Sequence, residues 1–150
     1  MRLYDLRTEY RENPIGLTDK APRFSWKMES EEKDTLQTAY EIKVTDENGN
    51  VVWNSGKKAS DQSVLIPYEG ETLADEMLYK VEVSVADNHG NVEAIEGTFE
   101  TGIFDNTEFT AKMITGDFPE EETACPVFGK AFATDKRVKK ARLYATAHGV

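Results

Sequence analysis

Several residue groups in this 150-residue sequence invite a chemical reading. Glu120-Glu121-Glu122 places three carboxylates together, and paired carboxylates can serve as general acid and base. No pocket-forming residues accompany them, so a solvated acidic loop is the plainer reading. Asp46-x-Asn48-x-Asn50 matches the start of a calcium loop. Its sixth position is Val51 where the turn requires glycine, and its twelfth is Lys57 where a bidentate glutamate is needed. A hairpin turn fits better. Ser55-Gly56-Lys57 lacks the earlier glycine of a phosphate-binding loop. His89 and His148 have no cysteines near them in sequence, which predicts no metal site. Cys125 stands alone, without a disulfide or cluster partner, and reads as a small apolar residue at a strand edge. Lys136-Arg137-Val138-Lys139-Lys140 reads as the wet loop of a hairpin. Trp53 and Tyr68 are the remaining candidates: an exposed aromatic face can stack on a sugar ring, whereas aromatics in sheet proteins more often fill the core. No cofactor is expected.

The elements that would position these groups are strands. Phe24, Trp26 and Met28 alternate with Ser25, Lys27 and Glu29. Tyr40, Ile42 and Val44 alternate with Glu41, Lys43 and Thr45, and Tyr79, Val81, Val83 and Val85 with Lys80, Glu82 and Ser84. A period of two gives each strand one buried and one wet face, as in antiparallel sheets. Asp46-Glu47-Asn48-Gly49-Asn50 separates the Tyr40 run from Val51-Val52-Trp53. Asn48 and Gly49 both tolerate positive φ, which suits a hairpin. Asp87-Asn88-His89-Gly90-Asn91 repeats the pattern before the stretch ending at Phe99. Leu73 to Met77 has room for one helical turn. About seven short strands in some 100 residues predict an all-β, antiparallel sandwich of immunoglobulin or fibronectin type III type. Leu73 lies six residues before Tyr79, the spacing of a tyrosine corner at the entry to the sixth strand, and Trp26 is the expected central core aromatic.

Charge divides the chain. Residues 1–100 carry 11 basic and 21 acidic side chains, and residues 101–150 carry seven of each. The net charge of −10 argues against nucleic acid as a partner, because phosphate contact needs a cationic footprint. No apolar run approaches the roughly 20 residues of a membrane-spanning helix, so no membrane association is expected. The start Met1-Arg2-Leu3-Tyr4-Asp5 lacks the apolar core of a signal peptide, which with the single cysteine leads to a cytoplasmic expectation. Phe109 to Ile114, Pro126 to Ala133 and Val138 to Ala147 are three further strand candidates. Residues 1–103 are therefore expected to form one sandwich, and residues 104–150 the opening of a second. Phe128, Phe132, Leu143 and Tyr144 would then lack partners, and would be covered by homodimerisation through exposed sheet faces or by packing on the first sandwich.

The words Asn13-Pro14-Ile15-Gly16-Leu17, Pro22-Arg23-Phe24-Ser25-Trp26 and Gln37-Thr38-Ala39-Tyr40-Glu41-Ile42 resemble the amino-terminal region of bacterial α-L-rhamnosidases. Val52-Trp53-Asn54-Ser55-Gly56-Lys57, Ser60-Asp61-Gln62-Ser63, Phe99-Glu100-Thr101-Gly102 and Ala141-Arg142-Leu143-Tyr144-Ala145-Thr146-Ala147 follow in the family's order. The chain departs from the family at Tyr79-Lys80-Val81-Glu82-Val83, and near Phe109 and Met113, where tryptophan is usual. The resemblance implies a parent enzyme that removes terminal α-L-rhamnose with inversion. An acid and a base roughly 6.5–9.5 Å apart do that work, and in the family they sit in a separate (α/α)6 barrel. The expected role is thus a non-catalytic accessory domain whose partners are the other domains of the parent. The alternatives are a stand-alone carbohydrate-binding module using Trp53 and Tyr68, or a protein-interaction sandwich with open sheet edges.

Overall fold

The computed structural model describes residues 1–105, 110–117 and 127–147. The chain divides into two units, Met1–Thr110 and Ala111–Val150. Among its described residues the first holds seven strands: β1 Arg2–Thr8, β2 Arg23–Glu29, β3 Gln37–Asp46, β4 Val51–Asn54, β5 Ile66–Pro67, β6 Leu78–Asp87 and β7 Val92–Glu100. They form a sheet of order β1-β2-β5 and a second of order β4-β3-β6-β7, and every strand pair is antiparallel. This is the immunoglobulin-like sandwich that the alternating pattern predicts. Among the described residues there is no helix, and Leu73 to Met77 holds a turn.

The inward residues of the three alternating runs meet between the sheets. Phe24, Ile42, Val44, Val81, Val83, Val85 and Phe99 are fully buried, and Trp26 nearly so. Aromatic contacts join the layers: Phe24 meets Phe99 at 5.9 Å and Trp26 meets Tyr40 edge-on at 5.4 Å between ring centroids. Each large apolar side chain buried this way contributes about 1.5–3 kcal/mol. Trp26 keeps its polar end satisfied, its indole N–H donating to Gln37 Oε1 at 3.0 Å. Gln37 Nε2 in turn donates to the carbonyls of Ser60 and Gln62.

β1 breaks the alternation. Its register with β2 shifts between Tyr4 and Arg7, and Asp5 adopts a φ of 54°. The extra residue lets Leu3 and Leu6, three apart, both face the core. Asp5 accepts from Lys27 Nζ and Arg7 Nε, each at 2.7 Å, and these two cations hold its carboxyl below the usual range.

The two hairpin loops are built alike. Asp46 N–H donates to the Asn50 carbonyl and Gly49 N–H to the Asp46 carbonyl; Asp87, Asn91 and Gly90 repeat both bonds. In each loop the aspartate carboxylate accepts from two backbone N–H groups and from the asparagine side chain. Positive φ falls on Gly49 and Gly90, at 89° each, and not on Asn48. These are three-residue loops closed by a left-handed glycine, in place of the two-residue turn that the Asn48-Gly49 dipeptide suggests. The amide of Asn50 is the main cause that lowers the Asp46 pKa. At Asp87 burial opposes ionisation, but the bonds from Asn91 and His89 outweigh it and the pKa is again lowered. A depressed carboxylate pKa stabilises the fold above the ordinary value and loses that contribution as pH falls through the folded-state value. The urea midpoint is therefore expected to fall as pH drops below 3.8, the ordinary aspartate value. The D46A/D87A variant is expected to show a flatter acid limb.

The tyrosine corner is present. Ala74 N–H donates to the Tyr79 hydroxyl at 2.8 Å, while the Tyr79 ring stacks on Phe99 at 5.1 Å. Tyr79→Phe strands the Ala74 N–H and is expected to cost about 1–2 kcal/mol in chemical denaturation.

The second unit differs from expectation. In the parts of the three strand candidates that are described, residues 110–114, 127–133 and 138–147, no strand forms. Val127, Phe132 and Leu143 are 97%, 88% and 86% exposed, and Phe128 is 52% exposed. A strand exists only where a neighbour takes its backbone hydrogen bonds, and alternation alone supplies none. Phe109, Glu120-Glu121-Glu122, Cys125 and His148 lie outside the described residues.

Candidate functional site

The aromatic candidates come together at the β4 edge. Trp53 pairs with Val44 across the ladder and is half-buried. Its ring stacks on Phe24 at 6.2 Å and meets the edge of Tyr68 at 5.2 Å. Tyr68 follows β5 and is only 5% exposed. Its hydroxyl lies 2.8 Å from the Glu71 carbonyl and 3.3 Å from that of Val52, and burial pushes its pKa up to about 12. Tyr68 thus presents a satisfied hydroxyl and a covered ring, and Trp53 is the member of the pair nearer solvent. Gly70 makes the arrangement possible: a Cβ there would stand 2.5 Å from Trp53 Cβ and from the Tyr68 ring.

Three other sequence motifs, at Asp46, Ser55 and His89, are absorbed by structure. Asp46 spends its oxygens on N–H donors, with no cation needed to hold the loop. Ser55 fastens β3, accepting from Ile42 N–H at 2.8 Å while its own N–H donates to the Ile42 carbonyl. His89 lies 3.4 Å from Glu32. Among the described residues no group of three or more His, Cys, Asp and Glu is placed to hold a metal.

Glycoside hydrolysis needs a carboxyl that stays protonated near neutral pH, and burial in an apolar pocket is how its pKa is raised. Every resolved shift on a described carboxylate runs the other way. Arg23 holds Glu9 down through a two-pronged contact at 2.9 and 2.7 Å, and Lys80 holds Glu96 down at 2.6 Å. Asp5, Asp46 and Asp87 are lowered by their own donors. A surface groove of about 550 Å³ runs past Tyr4, Lys27, Leu36, Asp61 and Val64, with Asp61 as its one acid. A larger depression at Met1, Arg2, Glu29, Glu31 and Glu32 is acidic, and its Glu29 is paired to Arg2. Asp5, Glu9, Asp46, Asp87 and Glu96 are thus carboxylates held by hydrogen bonds that serve the fold.

One arrangement is invisible to local sequence reading. Asn13–Leu17 and Phe99–Gly102, about 85 positions apart, lie side by side. Leu17 forms a parallel bridge with Thr101, and Asn13 Oδ1 accepts from Thr98 N–H at 2.8 Å. Both segments stand out in the sequence as family words, but nothing in either names the other as its partner.

Known proteins match this picture. A family model described as the Rha78A-like, N-terminal immunoglobulin domain matches residues 3–105. An α-L-rhamnosidase of Streptomyces avermitilis is 34% identical over 128 residues, covering 81% of this chain and 12% of that protein. One from Formosa agariphila is 32% identical, covering 92% of this chain and 17% of its own length. The crystal structure of the Streptomyces avermitilis enzyme, complexed with L-rhamnose, superposes with a TM-score of 0.69 at 35% identity, over 74% of this chain and 11% of that one. The structure of α-L-rhamnosidase from Dictyoglumus thermophilum gives 0.67 at 35% identity, over 73% and 13%. The chain therefore spans 12% and 17% of the length of these two curated relatives. It belongs to the family of Rha78A-like N-terminal immunoglobulin domains.

Proposed function

We propose that this chain is the non-catalytic accessory module of an α-L-rhamnosidase, and that hydrolysis takes place in parts of that enzyme outside it. One observation carries the reading: the likeness to rhamnosidases covers 81% and 92% of this chain but 12% and 17% of the two relatives compared, and over residues 3–105 it falls on an immunoglobulin-like sandwich. The carboxylate pKa directions support it, since ionised, paired acids suit structure better than proton donation. The module's partners are then the remaining domains of the same enzyme, and its work is to hold them in place. The exposed Val127, Phe132 and Leu143 support a second unit that completes its pairing there, or through a second copy of the chain.

Deletion of residues 1–103 from the rhamnosidase that carries this chain tests the role. The deleted enzyme is expected to keep its kcat on a soluble aryl α-L-rhamnoside within about threefold and to lose thermal stability. A folded deletion enzyme without turnover, restored neither in part nor in full by adding the separate module, would leave the reading standing only if its domains were misplaced; turnover by the purified module itself would overturn it.

A further inference from the structure

The end of β7 is held by backbone hydrogen bonds on both sides. On one side lies the segment Asn13–Leu17. Glu100 N–H donates to the Pro14 carbonyl at 2.9 Å, Leu17 N–H to the Glu100 carbonyl at 2.9 Å, and Gly102 N–H to the Leu17 carbonyl at 2.7 Å. On the other side lies the corner Leu73–Met77. Thr101 N–H donates to the Met77 carbonyl, and Glu76 N–H donates to the Gly102 carbonyl. Thr101 is fully buried, and its hydroxyl is the hub of this side: it accepts from Met77 N–H at 3.0 Å and donates to the Ala74 carbonyl at 2.7 Å. Ala74 is the residue whose N–H the tyrosine corner holds, so the exit is tied directly to Tyr79.

Two glycines allow the backbones to close. Gly16 has a φ of 73°, a conformation in which side chains are strained. A Cβ at Gly102 would sit 3.1 Å from the Gly16 carbonyl oxygen and 3.3 Å from its Cα, which are backbone atoms that cannot rotate away. Beyond Gly102, Lys20 Nζ lies over the Phe104 ring at 5.7 Å.

We infer that Asn13–Leu17 and Leu73–Met77 form a clamp whose function is to fix the path of the chain as it leaves the sandwich. The inference rests on the reading of this chain as a mounting module, and deepens it. A module joined by a loose linker imposes no orientation on its neighbouring domain. A clamped exit makes residues 101–104 part of the same body as the sandwich, so the path of the chain is fixed as far as Phe104. It also gives Asn13, Gly16, Thr101 and Gly102 a shared task that the core does not require of them.

Amide hydrogen exchange and ¹⁵N relaxation on the full chain test the clamp. In the wild type the amides of Thr101 and Gly102 are expected to be about a hundredfold or more protected, with order like that of β6. Thr101→Val keeps the shape but removes the hub. It is expected to speed exchange at Met77 and Gly102 by about tenfold to a hundredfold, while Val81 and Val83 keep their protection. Should that variant fail to fold, Asn13→Ala removes the acceptor for Thr98 N–H and is expected to loosen Leu17 and Gly102 by about tenfold. Free exchange at Gly102 in the wild type would overturn the inference. So would variants that leave exchange unchanged, or raise it evenly through β3 and β6. Failure of the accessory-module reading appears as hydrolysis of a rhamnoside, which these measurements do not record, so the two failures are separable.

Discussion

Phe99→Ala is expected to remove about 3–5 kcal/mol of stability. Phe99 is fully buried at the end of β7, where it stacks on Tyr79 in its own sheet and tilts against Phe24 of the opposite sheet. Deleting the ring removes its transfer free energy and leaves a cavity between two sheets that β-ladders hold apart, so collapse is limited. It also strips the stacking partner of the tyrosine corner. A domain of this size has about 5–15 kcal/mol in total, so the variant is expected to sit near the edge of folding at 37 °C. Urea unfolding checks this: the midpoint should fall with little change in slope. A loss under about 1 kcal/mol would mean that the sheets close over the gap, contrary to this packing.

Gly70→Ala is expected to cost about 2–3 kcal/mol, at the upper part of the range for overpacking. The added methyl would meet Trp53 Cβ and the Tyr68 ring at 2.5 Å, and Trp53 Cβ is fixed by β4. The Tyr68 ring is the group able to yield, and yielding breaks its bonds to Glu71 and Val52. This has a spectroscopic signature. The Tyr68 phenol, pushed up to about 12 by burial, should titrate closer to the ordinary 10.0 once the ring is displaced. An unchanged phenolate titration together with lost stability would show that the strain is taken up elsewhere.

The strands that can be read from sequence are those where burial is one-sided and uninterrupted. β2 and β6 alternate cleanly, β3 does so from Tyr40 onward, and each buries the predicted face. Tyr79 and Leu73 are legible as a corner because their spacing is similar to that in fibronectin type III modules. β1 is not legible, since the bulge at Asp5 puts Leu3 and Leu6 on one face at a spacing of three, which breaks the period of two. β5 is two residues long and one of them is Pro67, which has no N–H to give and is tolerated because β5 is an edge. The strand candidates after Gly102 show the converse: apolar alternation without pairing partners makes no ladder in residues 110–114, 127–133 or 138–147. The Asn13–Leu17 side of the clamp joins segments about 85 residues apart, a contact that no local pattern encodes.

Tyr68 and Trp53 illustrate the same limit at the candidate site. An aromatic residue type is equally suited to a core and to a sugar platform, and its neighbours decide. Here the neighbours are Phe24, Gly70 and two backbone carbonyls.

As a mount, this chain is expected to do no chemistry of its own. Hydrolysis of an aryl α-L-rhamnoside by the purified 150-residue chain tests it most directly, read across pH 4 to 8 at about millimolar substrate. The predicted result is release of the aryl group at the rate of the buffer blank throughout. Saturable turnover that rises in proportion to the concentration of the chain would contradict it.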